Sequence, residues 1–287
     1  MTMVAGAVPG LTLVIGASGK TGRRVVQKLQ AQGLPVRGVS RSTEPAFDWD
    51  DPSGWDAALD GVARMYVTYS PDLAMPQAKP AIRRLMAISR EKGVKHVVLL
   101  SGRGEPDAQA CEQVVKESGL VWTVVRASWF NQNFSEGEFA GMIGQGFLAL
   151  PAGDTLEPFV DAEDIADVAV AALTGSGHAG QIYEVTGPRL LTLKEVVREL
   201  AAARGQPVRF DDLSHDAFIG ALRGQGAPDD MVMLLDYLFG TVLDGRNSSL
   251  GDGVQRALGR PPRDFRDFAR DSAARGAWPD MPEGAVA

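Results

Sequence analysis

Cysteine is almost missing from this chain. Cys111 stands alone among 287 residues, so no intrachain disulfide can form. That suits a reducing compartment. Histidine is nearly as scarce, with His96, His178 and His215 far apart. Three scattered imidazoles and one thiol offer no metal-ligand spacing, and no metal is expected. There is no stripe of Lys or Arg, and the net charge is −7. Neither nucleic acid nor an anionic membrane surface is therefore expected as a partner. No apolar run approaches the length that spans a bilayer. Met1 to Gly10 lacks a basic region followed by a long apolar stretch, so it does not read as a signal peptide. These absences predict a cytoplasmic protein. There is no internal repeat and no low-complexity block.

What is present is ordinary globular material: 45% hydrophobic and 23% charged residues, enough for a large core. Apolar runs at Leu11–Ile15, Val36–Ser40, Arg64–Thr68, His96–Ser101, Val121–Arg126 and Gln181–Val185 have strand length. Several are apolar without alternation, as strands buried on both faces are. Helical patterns lie between them at Thr21–Gln32, Trp55–Leu59, Gln77–Lys92, Asp107–Glu117 and Ala162–Leu173. Strand and helix in alternation predict α/β architecture, a Rossmann-type doubly wound parallel sheet. Gly33, Gly93 and Gly119 sit where helices should stop. After Gly187 the pattern turns helical: Thr192–Arg204, with Thr192 and Glu195 as a capping box, then Ser214–Arg223, Asp229–Leu243 and Asp264–Arg275. Val208–Phe210 reads as a short strand, and the tail from Trp278 is expected to fray. The expected domains are a nucleotide-binding core over 1–150, completed by 160–187, and a smaller, mostly helical substrate-binding part over 188–287.

The strongest local signal runs from Leu11 through Gly16, Gly19 and Gly22. These glycines have G-x-x-G-x-x-G spacing between a strand and a helix. The first permits a tight turn, the second a close backbone approach to a pyrophosphate, and the third close helix–sheet packing. The helix N-terminus adds partial positive charge. Ser18, Lys20 and Thr21 complete the expected phosphate loop. The spacing is not that of a P-loop, and no Gly-Lys-Ser/Thr follows the required gap.

The second strand ends in Ser40, Arg41 and Ser42. Sites for NAD(H) offer a carboxylate here for the ribose 2′-hydroxyl. A guanidinium instead suits a 2′-phosphate, so NADP(H) is favoured over NAD(H). The bland alternative is a surface arginine that stacks on adenine or meets solvent. Asp48 and Trp49 are candidates for the adenine pocket or for a turn with a half-buried Trp. Ligands sit beyond the carboxyl ends of strands in such sheets. That makes Thr68, Tyr69, Ser101 and Gly102 candidate cofactor neighbours.

With these residues and the stretch Val121-Trp-Thr-Val-Val-Arg-Ala-Ser-Trp-Phe-Asn-Gln-Asn-Phe134 in view, the chain resembles the NmrA-like branch of atypical short-chain dehydrogenases/reductases. It is most similar there to the group of NAD(P)H:quinone oxidoreductases and agroclavine-dehydrogenase-like proteins. Ser128–Phe134 resembles that group's Ser-Trp-Phe-x-x-Asn-Phe signature, and Phe159-Val-Asp161-x-x-Asp164-Ile-Ala its Val-Asp-x-x-Asp-Ile-Ala motif. The likeness covers Leu11 to Phe268. It implies a nicotinamide cofactor and a C-terminal substrate-binding part.

Typical short-chain dehydrogenases use a Ser and a Tyr-x-x-x-Lys pair, the tyrosine serving as acid. Ser101 has the serine's place, but the next helix carries no tyrosine. Its Glu112 and Lys116 read as a surface i, i+4 ion pair. Tyr69 is the best-placed alternative donor, with a packing role equally open. Arg103, Trp129, Phe130, Asn133 and Phe134 are candidate substrate contacts; core packing is the alternative for the aromatics, solvent for Arg103. Asp161 and Asp164 read as helix cap and dipole partners. His215 is placed at a helix start, more as a surface cap than a substrate contact. Met231 and Met233 read as core more than as pocket wall or oligomer contact.

The expectation is an NADPH-dependent oxidoreductase of small planar, conjugated acceptors of quinone or iminium type, in a secondary-metabolite setting, acting as monomer or homodimer. The alternatives are a non-catalytic NADP(H) sensor of NmrA type and a ketoreductase or isomerase of a biosynthetic pathway.

Overall fold

The computed structural model describes residues 10–279. The expectations for the first nine residues, and for the tail beyond residue 279, lie outside the described residues. The chain forms two compact units. Among the described residues, unit 1 comprises the chain up to Ala127, then Ala162–Val185 and Gly251–Pro261; unit 2 comprises Ser128–Asp161, Thr186–Leu250 and the chain from Pro262.

Unit 1 is built on six parallel strands: β1 (Leu11–Ile15), β2 (Val36–Val39), β3 (Val62–Val67), β4 (His96–Gly102), β5 (Val121–Ala127) and, after an element of unit 2, β7 (Gln181–Val185). Their spatial order is β2-β1-β3-β4-β5-β7. The order reverses beside β1, the topological switch point where ligands bind in such sheets. Helices α2 (Trp55–Leu59), α3 (Ala78–Glu91) and α4 (Pro106–Lys116) bury Trp55, Leu59, Ile82, Leu85 and Cys111 in one core. Helices α1 (Gly22–Ala31), α6 (Ala162–Thr174) and α10 (Gly253–Leu258) pack as a second group, with α6 lying against β3, β4 and β5. Helices on both faces explain why β1 is buried on both of its sides: Leu13, Val14 and Ile15 are all buried. Gly33, Gly93 and Gly119 have the positive φ of helix stops.

Unit 2 carries β6 (Phe147–Leu150) paired in parallel with β8 (Arg209–Asp212). Around them stand α5 (Glu138–Gly144), α7 (Leu193–Arg204), α8 (His215–Gly224), α9 (Asp229–Tyr237) and α11 (Phe265–Ala274). Thr192 and Glu195 form the capping box of α7, and Ser214 and Asp264 cap α8 and α11 through their side chains. Phe134, Phe159, Leu200 and Phe265 are among the residues of its core.

Three expectations change here. The single helix expected over 229–243 is α9 followed by a π-type turn, Leu238–Val242. Trp278 does not fray: it is buried, and its indole Nε1 donates to the Phe134 carbonyl at 2.6 Å. Met231 and Met233 are not core, being 45% and 46% exposed beside a buried Val232. The short elements α5, β6 and α10 are additions to the elements expected from the sequence.

Candidate functional site

The chain turns sharply as it leaves β1. Gly16 has φ of +76°, and a Cβ there would collide with the Thr68 hydroxyl, which itself donates to the Ile15 carbonyl at 3.1 Å. The Gly19 amide donates to the Gly16 carbonyl at 2.9 Å. A Cβ on Gly22 would collide with that same carbonyl and lie 2.7 Å from its carbon. The loop is thus folded flat against the sheet end, with Ser18 and Gly19 exposed at its crest. Helix α1 begins at Gly22 and has no acidic residue in its first turn. Its N-terminus is open to an anion. These features fit a dinucleotide pyrophosphate. Thr21 is buried and Lys20 half-buried, which leaves Ser18 as the exposed hydroxyl of the loop.

At the end of β2, the Ser40 amide donates to Thr43 Oγ1 at 2.9 Å, and the Ser40 and Ser42 hydroxyls are 3.2 Å apart. Arg41 is exposed, with no hydrogen-bond or ion-pair partner among the described residues. A guanidinium left exposed in this way can meet an anionic group. Asp48 and Trp49 are built into local structure instead. The Asp48 carboxylate accepts from the Asp50 amide, and its carbonyl from Trp55 Nε1 at 2.7 Å. Trp49 stands edge-on to Phe47 and Trp55 at 5.1 and 5.5 Å, and the Tyr69 ring lies 4.7 Å from it. Burial first, then the Asp50 charge, pushes the Tyr69 hydroxyl up, which makes it a weaker acid than a free tyrosine.

Glu112 corrects the sequence expectation most. It is fully buried, not a surface residue. Ser101, Arg126 and Glu184 are in register across β4, β5 and β7, and α4 lowers Glu112 onto this row. Ser101 Oγ donates to Glu112 Oε1 at 2.7 Å, and Arg126 makes two bonds to the carboxylate at 2.9 and 2.6 Å. Arg126 also reaches Glu184 Oε1 at 3.1 Å, and Arg103 Nε reaches its Oε2 at 3.2 Å. Burial alone pushes Glu112 up, but the Arg126 and Ser101 hydrogen bonds outweigh it and hold the carboxyl below its ordinary range. The Ser101 proton is therefore committed to Glu112. Arg103, 8% exposed, is likewise held within this ion network rather than standing open to a substrate.

Beside Gly102 lies a group that sequence reasoning missed. A Cβ at Gly102 would overlap the Glu105 carboxyl. Glu105 is 6% exposed, and burial, then the Asp72 carboxylate, pushes its pKa up to about 9. It carries its proton at neutral pH. Nothing in the local sequence Gly-Arg-Gly-Glu105-Pro signals this, since the cause is a residue in another loop.

In unit 2, Phe134 is core: it is fully buried and packs edge-on against Phe159 and Phe265 at 5.6 and 5.7 Å. That removes it from the candidate substrate contacts. Trp129 is half-buried, with its ring 5.1 Å from Phe239. Phe130 and Asn133 are also half-buried, the Asn133 amide donating to the Phe130 carbonyl at 3.0 Å. Between them, Asn131 is fully buried, yet neither atom of its side-chain amide has a partner among the described residues; the Ser128 hydroxyl has none there either. Orphaned buried polar groups are costly, and a bound polar group would complete them. Asn131 occupies a variable position of the signature, so only burial reveals it. Asp161 accepts from Gln132 Nε2 at 2.7 Å, and Asp164 is fully buried and paired with Arg260 at 2.7 Å. These are structural roles.

Among the described residues, no group of three or more His, Cys, Asp or Glu is arranged to hold a metal, and no helix is long and apolar enough to cross a membrane. Comparison with known proteins agrees with the loop geometry. The family described as NAD(P)H-binding matches residues 16–176. The chain is 34% identical to an NAD(P)H azoreductase of Xenophilus azovorans, over 92% of this chain and 98% of that protein. It is 29% identical to agroclavine dehydrogenase of Claviceps fusiformis, over 91% and 96%. Its fold superposes on Escherichia coli NADPH-dependent quinone oxidoreductase QOR2 complexed with NADPH, with a TM-score of 0.72 and 24% identity, over 91% and 99% of the two chains.

Proposed function

The chain belongs to the NAD(P)H-binding family, in its NmrA-like atypical short-chain dehydrogenase/reductase branch, and we propose that it is an NADPH-preferring reductase of small, planar, conjugated acceptors. The observation that carries this reading is the pairing of the flat glycine loop with an exposed, unpartnered Arg41. The loop would hold the pyrophosphate and Arg41 the 2′-phosphate. The bound nicotinamide would supply the hydride. The protein's own residues bind and orient the two reactants.

The acceptor class follows from the acids at hand. Reduction of a plain ketone yields an alkoxide and calls for a strong, well-placed proton donor. Helix α4 has no tyrosine, the Ser101 proton is held by Glu112, and Tyr69 is a weakened acid. A quinone, azo or iminium acceptor needs less help, because its reduced form is a stabilised anion or a neutral amine. The azoreductase, quinone oxidoreductase and agroclavine dehydrogenase among its relatives support that class by their names. A role in secondary metabolism is part of this proposal, as is hydride transfer without a Tyr-x-x-x-Lys pair.

The test is NADPH oxidation followed spectroscopically against quinones, azo dyes, cyclic imines and simple ketones, with NADH in parallel. We expect turnover of one conjugated class with NADPH preferred. Ketones reduced faster than every conjugated acceptor would overturn the acceptor assignment; tight NADPH binding with no turnover would overturn the reductase reading in favour of a sensor.

A further inference from the structure

The glycine loop is fastened from a distant part of unit 1. Its exposed crest, Ser18 and Gly19, leads through the half-buried Lys20 into α1. The Lys20 carbonyl, in the peptide that joins crest to helix, accepts from Arg24 Nη1 at 2.6 Å. A second nitrogen of the same guanidinium, Nε, donates to Glu163 Oε1 at 2.8 Å, 139 residues further along the chain. Glu163 lies in the first turn of α6, which packs on α1. Its other oxygen, Oε2, meets Lys28 Nζ at 2.8 Å, so both oxygens are engaged and the carboxylate is held in one orientation. Lys28 also reaches Asp167 at 2.8 Å, one turn along α6 from Glu163. Asp167 in turn meets Arg260 at 2.6 Å. Burial pushes the Glu163 carboxyl up, but Lys28 and Arg24 outweigh it and hold it below its ordinary range. It is charged at neutral pH.

An ion pair between two helices at the surface contributes only about 0 to 1 kcal/mol. What this one adds is direction. Arg24 is 11% exposed and lies between a backbone carbonyl and a carboxylate, touching each with a different nitrogen. The guanidinium is planar with its donors in a fixed fork, so holding one nitrogen sets where the others point. The position of α6 is thereby passed to the peptide beside the loop crest. A loop already set in its bound shape loses less freedom when a ligand arrives. Glu163 occupies a variable position between Asp161 and Asp164 of the motif noted in the sequence, so only the fold singles it out.

We propose that Glu163 is a positioning residue for the cofactor: acting through Arg24, it fixes the Lys20–Thr21 peptide and pre-shapes the loop that takes the pyrophosphate. This rests on assigning the glycine loop to the pyrophosphate. NADPH and NADH share that group, so the latch serves both alike, whereas Arg41 is expected to favour NADPH alone.

The test measures Kd for NADPH, NADH and adenosine 2′-monophosphate on the full chain, by fluorescence titration and calorimetry. The monophosphate carries the adenine and the 2′-phosphate but no pyrophosphate. Wild type is compared with Glu163→Ala, Arg24→Lys and the double variant, and melting midpoints report folding. Arg24→Lys keeps the charge without the fork, and covers the case in which Glu163→Ala folds poorly. We expect each single variant to weaken NADPH and NADH by the same factor, about three- to tenfold, the worth of one hydrogen bond. Adenosine 2′-monophosphate should bind as to wild type. The double variant should be no worse than the worse single one, because both changes release one latch. Cofactor affinity unchanged in both single variants, a loss that the monophosphate shares, or losses that add in the double variant each overturn the latch. Its failure is separable from that of the reading it rests on. Variants that bind NADPH as wild type does remove the latch and keep the loop. A wild type that binds neither NADPH nor NADH removes the loop and the latch together. Matched losses of NADPH and NADH, with no acceptor turned over, remove the reductase and keep the latch.

Discussion

Replacing Glu105 by Gln should make the protein more stable at neutral pH. In the folded chain, burial and then the Asp72 carboxylate push this carboxyl from its ordinary 4.5 up to about 9. An acid whose pKa rises on folding keeps a proton that the unfolded chain has released. Its contribution is therefore fully present below pH 4.5 and drains away as pH climbs, until the folded group itself ionises near 9. Each pH unit in that window removes about 1.4 kcal/mol, so between pH 5 and pH 7 the loss is at most about 3 kcal/mol. Relaxation and water entry reduce this to about 1 to 3 kcal/mol. Glutamine has nearly the same shape and can donate to Asp72, but it does not titrate. Urea unfolding at pH 5, 6, 7 and 8 would measure the difference. Wild type should lose stability relative to Glu105→Gln steadily across the series. Parallel curves, within about 0.5 kcal/mol at every pH, would refute the reasoning. They would mean that Glu105 ionises as an ordinary surface carboxylate.

Three further outcomes are expected. Arg41→Ala should weaken NADPH binding by about ten- to a hundredfold, one lost charge-assisted contact of about 1.5 to 3 kcal/mol, while leaving NADH binding unchanged; fluorescence titration with both cofactors checks this, and equal losses would show that Arg41 does not read the phosphate. Gly22→Ala should cost cofactor affinity, because the new methyl must displace the Gly16 carbonyl; a variant that binds NADPH as wild type would mean the loop is not packed as described. Glu112→Leu should destabilise by about 3 kcal/mol, since it strands the half-buried Arg126 with only Glu184; thermal melting decides, and a loss under 1 kcal/mol, measured against the usual range for a broken buried pair, would return Glu112 to the surface role first expected of it.

Much of the architecture was legible in the amino-acid order because it is encoded locally. Leu11–Ile15 was bounded to the residue, since a strand covered on both faces is largely apolar along its length. The capping box at Thr192 and Glu195 was readable because both partners lie within one turn. The glycine loop was readable for a similar reason: a turn that tight admits few residue types, and three glycines at fixed spacing leave a trace. Arg41 could be placed because the end of the second strand has a known address in this topology.

What escaped was decided by distance along the chain. The i, i+4 spacing of Glu112 and Lys116 describes a helix face, but not whether that face meets solvent or a row of strands. Only the register of β4, β5 and β7 brings Ser101, Arg126 and Glu184 beneath Glu112 and turns an expected surface pair into a buried network. Asp72 and Glu105 lie in separate loops, so a proton held near pH 9 has no sequence signature. His215 and Asp236 belong to different helices, so their pairing at 2.6 Å has no local signature either. Local order alone determined the parallel sheet and the glycine turn that follows its first strand, and it carries the proposal that Arg41 selects NADPH. The tertiary structure decided which polar groups are buried, and with that which of them hold or share a proton, because desolvation and charge pairing depend on neighbours that the chain brings together only when it folds.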